Sequence, residues 1–290
     1  PRYPVLWAKR GRLVYIGWIS HGLVHRGNPR SDARSRAGAS LALVHMRQLF
    51  PDPVDSVDPI ARYAVDERPR PTGRPWLMLN MITSIDGGVS IDGLSGGLGG
   101  PADQTVFSAI RGVADHIIVG SATIVAENYR PPQTPEAIRQ ARVERGQAPT
   151  PRIVVVTGRL NLSADLRVFD REARPLIITH ENAPADSRAE LEEKADIIDA
   201  GRDRIDLQTA LERLGELGSD VVLAEGGPRL NGSLLVEDLV DELCLSVSPM
   251  LLGGQGSRII HGDVPDSPRK MRLDRTLHED GFSFHRYVRA

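Results

Sequence analysis

The sequence predicts a three-layer α/β fold with a mostly parallel central sheet, helices on both faces and an antiparallel strand pair at the C-terminal side. Two observations carry this. From residue 76 onward short apolar runs alternate with helix-like stretches, the pattern of strands joined by right-handed helical crossovers. The last two strand-like runs have no helix pattern between them, so they are expected to pair antiparallel.

Taken in order, the expected strands are Trp76–Thr83, His116–Val119, Ile153–Thr157, Pro175–Thr179, Asp196–Ile198, Val221–Ala224, Glu242–Pro249 and Phe282–Val288. Several are near-continuous Val/Ile/Leu runs, as strands covered on both faces require. The expected helices are Ala102–Gly112, Ala122–Asn128, Pro135–Arg145, Ala185–Lys194, Leu207–Leu217 and Leu230–Leu239. Residues 76–290 are read as one domain, because no repeat or linker divides them. Residues 46–75, rich in Pro and charge, are read as a lead-in that wraps the surface.

At 290 residues, 40% hydrophobic and 26% charged, the chain has ample material for a core. Residues 1–45 differ from the rest, with eight Lys/Arg against one acid, Asp32, and no sustained periodicity. They are expected to be a disordered or non-native extension, with Met46 as the functional start. The remainder holds 28 basic and 37 acidic residues, net −9, which argues against nucleic acid as a partner of the main body. The single cysteine, Cys244, rules out an internal disulfide framework and suits the cytoplasm. No apolar run approaches the ~20 residues that span a bilayer. The histidines are scattered singly, no metal-binding spacing occurs, and no metal is expected.

Three glycine-rich places compete as a phosphate cradle. Gly97-Leu-Gly-Gly-Pro-Ala102 matches G-x-G-x-x-A by letter, but it sits inside a glycine-rich loop and reads better as a lid over a site. Gly253-Gly-Gln-Gly256 is as well explained by a loop at a strand edge. Gly226-Gly227 has a buried strand before it and a helix after it. Backbone N–H groups at a helix start are unpaired donors, and without a Cβ a diphosphate can approach them. A tight turn alone leaves Glu225 unexplained, since a strand end avoids an unpaired carboxylate. The residues themselves point to a nucleotide or dinucleotide site and no further.

Taken together, Thr83-Ser-Ile-Asp-Gly-Gly88, Val119-Gly-Ser-Ala-Thr123, Glu225-Gly-Gly-Pro228, and Leu239-Val-Asp-Glu-Leu243 followed by Pro249-Met-Leu-Leu-Gly-Gly254 resemble the pyrimidine reductase of riboflavin biosynthesis. The resemblance runs from about residue 75 to the C-terminus. It implies a dihydrofolate-reductase-like fold and NADPH-dependent reduction of 5-amino-6-(5-phosphoribosylamino)uracil, by hydride transfer to C1′ of the ribosyl group. It also implies a cofactor site of Thr83, Thr123, Glu127, Thr157, Arg159, Glu225, Gly226, Gly227, Pro228 and Leu230. In it Gly226 and Gly227 meet the diphosphate, and Thr157 and Arg159 meet the adenosine 2′-phosphate. On the substrate side it implies Asn80, Ser95, Arg111 and Arg130, with Glu127 as the catalytic group that positions a hydroxyl or relays a proton. Relatives are often homodimers, and Glu242–Pro249 with Phe282–Val288 are candidates for that interface.

The sequence departs from the family in places. Asn80 stands where many relatives carry Lys, and Glu127 where many carry Asp. Asn128-Tyr-Arg-Pro-Pro132 replaces the usual Asp-Pro-x-Leu-Thr-x-Arg, so one phosphate-binding arginine is missing or displaced to Arg130. The zinc signature of the deaminase often fused to this reductase does not occur. Reduction of another heterocycle, such as dihydrofolate, and non-catalytic NADPH binding therefore remain alternatives.

Overall fold

The computed structural model describes residues 45–170 and 174–290, together with the backbone of two short strands nearer the N-terminus. Two units divide the chain, Pro1–Ser40 and Leu41–Ala290. In the first, β1 (Trp7–Lys9) pairs antiparallel with β2 (Arg12–Val14). Apart from these strands and His45, the expectation of an unstructured extension over residues 1–45 lies outside the described residues.

The second unit is built on an eleven-stranded sheet. Its parallel part holds β5 (Trp76–Ser84), β6 (His116–Gly120), β7 (Arg152–Val156), β8 (Leu176–Thr179), β9 (Asp196–Asp199), β10 (Val221–Ala224) and β11 (Glu242–Ser248). Its antiparallel flank holds β3 (Met46–Phe50), β4 (Val54–Val57), β12 (Met271–Glu279) and β13 (Phe282–Arg289). The spatial order is β4-β3-β12-β13-β11-β5-β10-β6-β7-β8-β9. The helices are α1 (Pro59–Ala64), α2 (Pro101–Arg111), α3 (Ser121–Ala126), α4 (Glu136–Glu144), α5 (Ala185–Glu192), α6 (Leu207–Glu216) and α7 (Pro228–Val236). Among the described residues, none is long and apolar enough to cross a membrane.

All eight expected strands and all six expected helices are present, with ends shifted by a few residues. Central β10 and β8 are buried at every position, whereas β11 alternates buried and half-buried residues. Met78, Ile117 and Leu223 pack with Val106 and Ile110 of α2 on one sheet face. Leu77, Ile118 and Val222 pack with Leu211 and Leu214 of α6 and Leu234 of α7 on the other. This division is the alternation of side chains along a strand.

Two expectations need correcting. The lead-in does not merely wrap the surface: β3 pairs with β12 and β4 with β3, and α1 packs beside them. β12 was not expected at all. It is joined to β13 by a tight turn at Asp280-Gly281, where both residues have positive φ (49° and 79°), as a hairpin turn demands.

Candidate active site

The carboxyl ends of the parallel strands converge where β10 ends beside β5 and β6. Leu79 of β5 and Ile118 of β6 lie level with Ala224 of β10. The next residue, Glu225, donates its N–H to the Ile118 carbonyl (3.1 Å), and the Gly120 N–H donates to the Gly226 carbonyl (2.9 Å). Gly226 has φ +96°, a backbone that side chains resist, and a cis peptide joins it to Gly227.

Gly227 then caps α7, with Pro228 as the first helical residue; proline suits that place because its missing N–H has no partner there in any case. A Cβ on Gly227 would lie 2.6 Å from Thr123 Oγ1 of α3, and one on Gly120 would lie 3.4 Å from the Gly227 nitrogen and 3.8 Å from the Leu230 Cβ. The sequence thus leaves bare main chain at the head of a nine-residue helix, beside a threonine hydroxyl. Such a combination is suited to an anion, which the N–H donors and the helix dipole favour.

Glu225 is the carboxylate that a turn alone did not explain. It is nearly buried and receives two charge-assisted hydrogen bonds from Arg111 of α2, Nε and Nη2 each 2.6 Å from a carboxylate oxygen. Arg111 Nη2 also donates to the Tyr129 hydroxyl (2.8 Å), and the guanidinium lies 4.0 Å over the Phe107 ring. Paired in this way, Glu225 avoids the cost of an isolated buried charge. Arg111, expected beside a substrate phosphate, spends two of its nitrogens on Glu225 and Tyr129.

A second pair forms above. The N–H and hydroxyl of Ser95 both donate to Glu127 Oε1, each at 2.9 Å. This bond ties the glycine-rich loop to the end of α3. The loop runs sixteen residues from β5 to α2 and contains a single 3-10 turn, Gly96–Leu98, so its letter match to a dinucleotide fingerprint does not follow directly on a strand. A third tie joins Thr83–Gly88 to Pro249–Gly254. The Asp86 carboxylate accepts from Ser84 Oγ (2.5 Å) and from the N–H groups of Gly253 (2.7 Å) and Leu252 (3.1 Å). These donors favour its charged form and depress its pKa to about 2.

Of the residues singled out from sequence, Thr123, Glu225, Gly226, Gly227, Pro228 and Leu230 surround one junction. Arg111 joins it through Glu225, and Asn80 lies on β5 one residue past Leu79, level with Cys244 of β11. Ser95 and Glu127 form their own pair. Thr83 lies near the end of β5, level with Val247 of β11. Thr157 is buried just after β7, its N–H donating to the Ile178 carbonyl (3.0 Å), and Arg159 is exposed beside it. They are placed two strands from β10, not at the junction. Arg130 is exposed. Sequence reasoning missed Gly120, Tyr129, Phe107 and Asp86. Gly120, Asp86 and Tyr129 stood inside quoted segments, whereas Phe107 gave no signal, and the contacts of Tyr129 and Phe107 with Arg111 appear only in the fold. Among the described residues, no group of three or more His, Cys, Asp or Glu is placed to hold a metal.

Comparison with known proteins agrees with this architecture. The chain is 33% identical over 213 residues to the 2,5-diamino-6-ribosylamino-4(3H)-pyrimidinone 5′-phosphate reductase of Methanothermobacter thermautotrophicus, covering 71% of this chain and 95% of that protein. It is 30% identical over 185 residues to the protein of the same name from Archaeoglobus fulgidus, covering 63% and 84%. The fold matches that of a pyrimidine reductase-like protein from Corynebacterium diphtheriae, with TM-score 0.69 and 24% identity over 80% of this chain and 98% of that one. Residues 75–280 match the RibD C-terminal domain, and the chain belongs to that family.

Proposed function

We propose that the protein is an NADPH-dependent reductase of a ribosylaminopyrimidine 5′-phosphate in riboflavin biosynthesis. The observation that carries this is the bare junction of β10 and α7, where a Cβ on Gly227 would fill the space beside Thr123, in a chain whose relatives are named for that reduction. The site fits a pyridine dinucleotide. Gly226, Gly227 and the first N–H groups of α7 would hold the diphosphate, and Thr123 and Leu230 would flank it. Thr157 and Arg159 would hold the 2′-phosphate, for which a hydroxyl and a cation are suitable partners. The bound reduced nicotinamide supplies hydride.

The protein supplies alignment and a dry pocket. Glu225 and Arg111 hold each other, so the pocket wall is rigid and its charges balanced. Glu127, oriented by Ser95, keeps its second carboxylate oxygen available to accept from a substrate hydroxyl. Asn80 on β5 offers both a donor and an acceptor to the heterocycle. The relatives are named for the diamino compound, and the resemblance read from the motifs implies the aminouracil. Both carry the same ribosylamino phosphate, so we assign the diamino compound first and the uracil second. A homodimer through β11 and β13, which present half-buried Leu245, Val247, His285 and Tyr287, completes the proposal, and analytical ultracentrifugation tests it.

Calorimetry should find NADPH binding tighter than NADH binding, and nicotinamide absorbance should fall on adding one of the two ribosylamino phosphates. Absence of NADPH affinity, or turnover of neither compound, would remove the assignment.

A further inference from the structure

Choosing between two dinucleotides that differ by one phosphate takes donors aimed at that phosphate. The end of β7 offers Thr157 and Arg159, with Gly158 between them. A third donor lies against the same corner of the chain.

β7 and β8 run parallel, with Val156 level with Ile178. Both pack on the sheet face that α7 covers through Leu234. The register persists past the strand, because the Thr157 N–H donates to the Ile178 carbonyl at 3.0 Å. Two residues beyond Val156 and Ile178 come Gly158 and His180, which the alternation of side chains returns to that same face. There they meet. A Cβ on Gly158 would lie 3.5 Å from both Cδ2 and Nε2 of the His180 ring. The edge of the imidazole therefore rests on bare main chain between Thr157 and Arg159.

His180 is held from behind. Its carbonyl accepts from the Ala183 N–H at 3.0 Å and from Arg188 Nη2 of α5 at 3.1 Å. Arg188 is itself anchored on Asp199 of β9, with Nη2 2.6 Å from Oδ1. A side chain whose backbone is fixed in this way has less freedom to lose when it meets a ligand.

The proton's place on the ring follows from its surroundings. Nδ1 is sealed from solvent and has no hydrogen-bond partner among the described residues. A proton there would bury an unpaired N–H, which folded proteins avoid more strictly than a bare acceptor. The proton of the neutral ring therefore sits on Nε2, and an imidazolium carries one there as well. In both states the nitrogen against Gly158 is a donor. The acids on the adjoining segments are engaged elsewhere: Asp199 bonds Arg188, Asp203 bonds Asn182, and Glu181 is exposed.

We propose that His180 is a specificity-determining residue for the cofactor, its Nε2–H donating to the adenosine 2′-phosphate beside Thr157 and Arg159. Such a bond is charge-assisted and stronger than a neutral one, and it exists only for the phosphorylated dinucleotide. The proposal rests on the reductase reading above, and the two fail differently.

Calorimetry on the full chain with NADPH and with NADH reads the choice directly. His180→Ala should weaken NADPH binding about tenfold and leave NADH binding unchanged. His180→Gln, whose amide nitrogen can stand in for Nε2, should keep more of the preference than His180→Ala. Imidazole 15N NMR of the wild type should show one ring, assigned by its absence from His180→Gln, that shifts on adding 2′,5′-ADP and not on adding 5′-ADP. This second measurement carries the test should His180→Ala not fold. A wild type that prefers NADPH while His180→Ala keeps the wild-type ratio overturns the proposal. An equal loss on both dinucleotides also overturns it, since the ring would then serve the adenosine or the fold alone. So does a His180 resonance indifferent to the 2′-phosphate. A wild type with affinity for neither dinucleotide refutes instead the reading on which it rests.

Discussion

Glu225 is where residue-level chemistry is most constrained. A carboxylate at the end of a buried strand must find a cation, and Arg111 meets it through two bonds of 2.6 Å while stacking on Phe107. Removing one member of such a pair leaves the other charge uncompensated, which costs far more than the pair contributes. Arg111→Ala should therefore lower stability by about 3 kcal/mol, read from urea denaturation. Arg111→Ala with Glu225→Gln should recover much of that loss. If the single variant unfolds at the wild-type midpoint, the pair is not the anchor described here. The need for a partner was legible in the sequence, because a glutamate closing an apolar strand is costly alone. Its identity was not. Arg111 is 114 residues away, and only the crossing of α2 over β10 brings the two together.

At the level of elements, the β10–α7 junction depends on missing side chains. At Gly227 the nearest obstacle to a Cβ is the hydroxyl of Thr123 at 2.6 Å, part of a short side chain with little freedom to withdraw. Gly227→Ala should weaken NADPH binding by at least tenfold, about 1.4 kcal/mol, by calorimetry. Gly146→Ala, at a positive-φ site away from the junction, should leave affinity unchanged. A second element-level device is the Asp86 tether between the β5 loop and the loop after β11. Its depressed pKa means that the tether is fully formed above the usual carboxylate pKa and is lost as pH falls towards about 2. Asp86→Asn should speed hydrogen exchange at Leu252 and Gly253, and unchanged exchange at both amides would exclude the tether. Elements with a simple period, such as β6, β10 and α6, were readable directly. β12 was not, because its buried face includes Arg275, which meets Asp66, and charge at an inward position erases the apolar alternation on which strand recognition relies.

The whole molecule is held at its other end by that same polar chemistry. Asp66 and Arg68 of the lead-in, Glu242 of β11, Arg275 of β12 and Arg286 of β13 form one buried network, with the Trp76 indole N–H donating to Glu242 at 3.0 Å. The arginines hold the carboxyls of Asp66 and Glu242 below their ordinary values against the opposing effect of burial. Folded pKa values below the unfolded ones mean stability that is present above about pH 4.5 and lost as pH falls further. His116 adds a separate contribution. Buried against Ser219, its pKa is pushed down to about 4, so the fold favours the neutral ring. Its stabilisation is complete above about pH 6.5 and declines as pH falls towards 4. Acid should therefore weaken the protein in two stages, the upper one led by His116 at no more than about 3 kcal/mol, with half-buried His285, whose pKa burial also lowers, adding to it. In His116→Asn the urea midpoint should decline less than that of the wild type from pH 6.5 to about 4.5, the remaining slope belonging to His285, and should then fall with the carboxylates. A wild-type midpoint that stays constant over that upper window would remove His116 from the account. A Glu242→Gln variant that retains the full lower stage would remove the network.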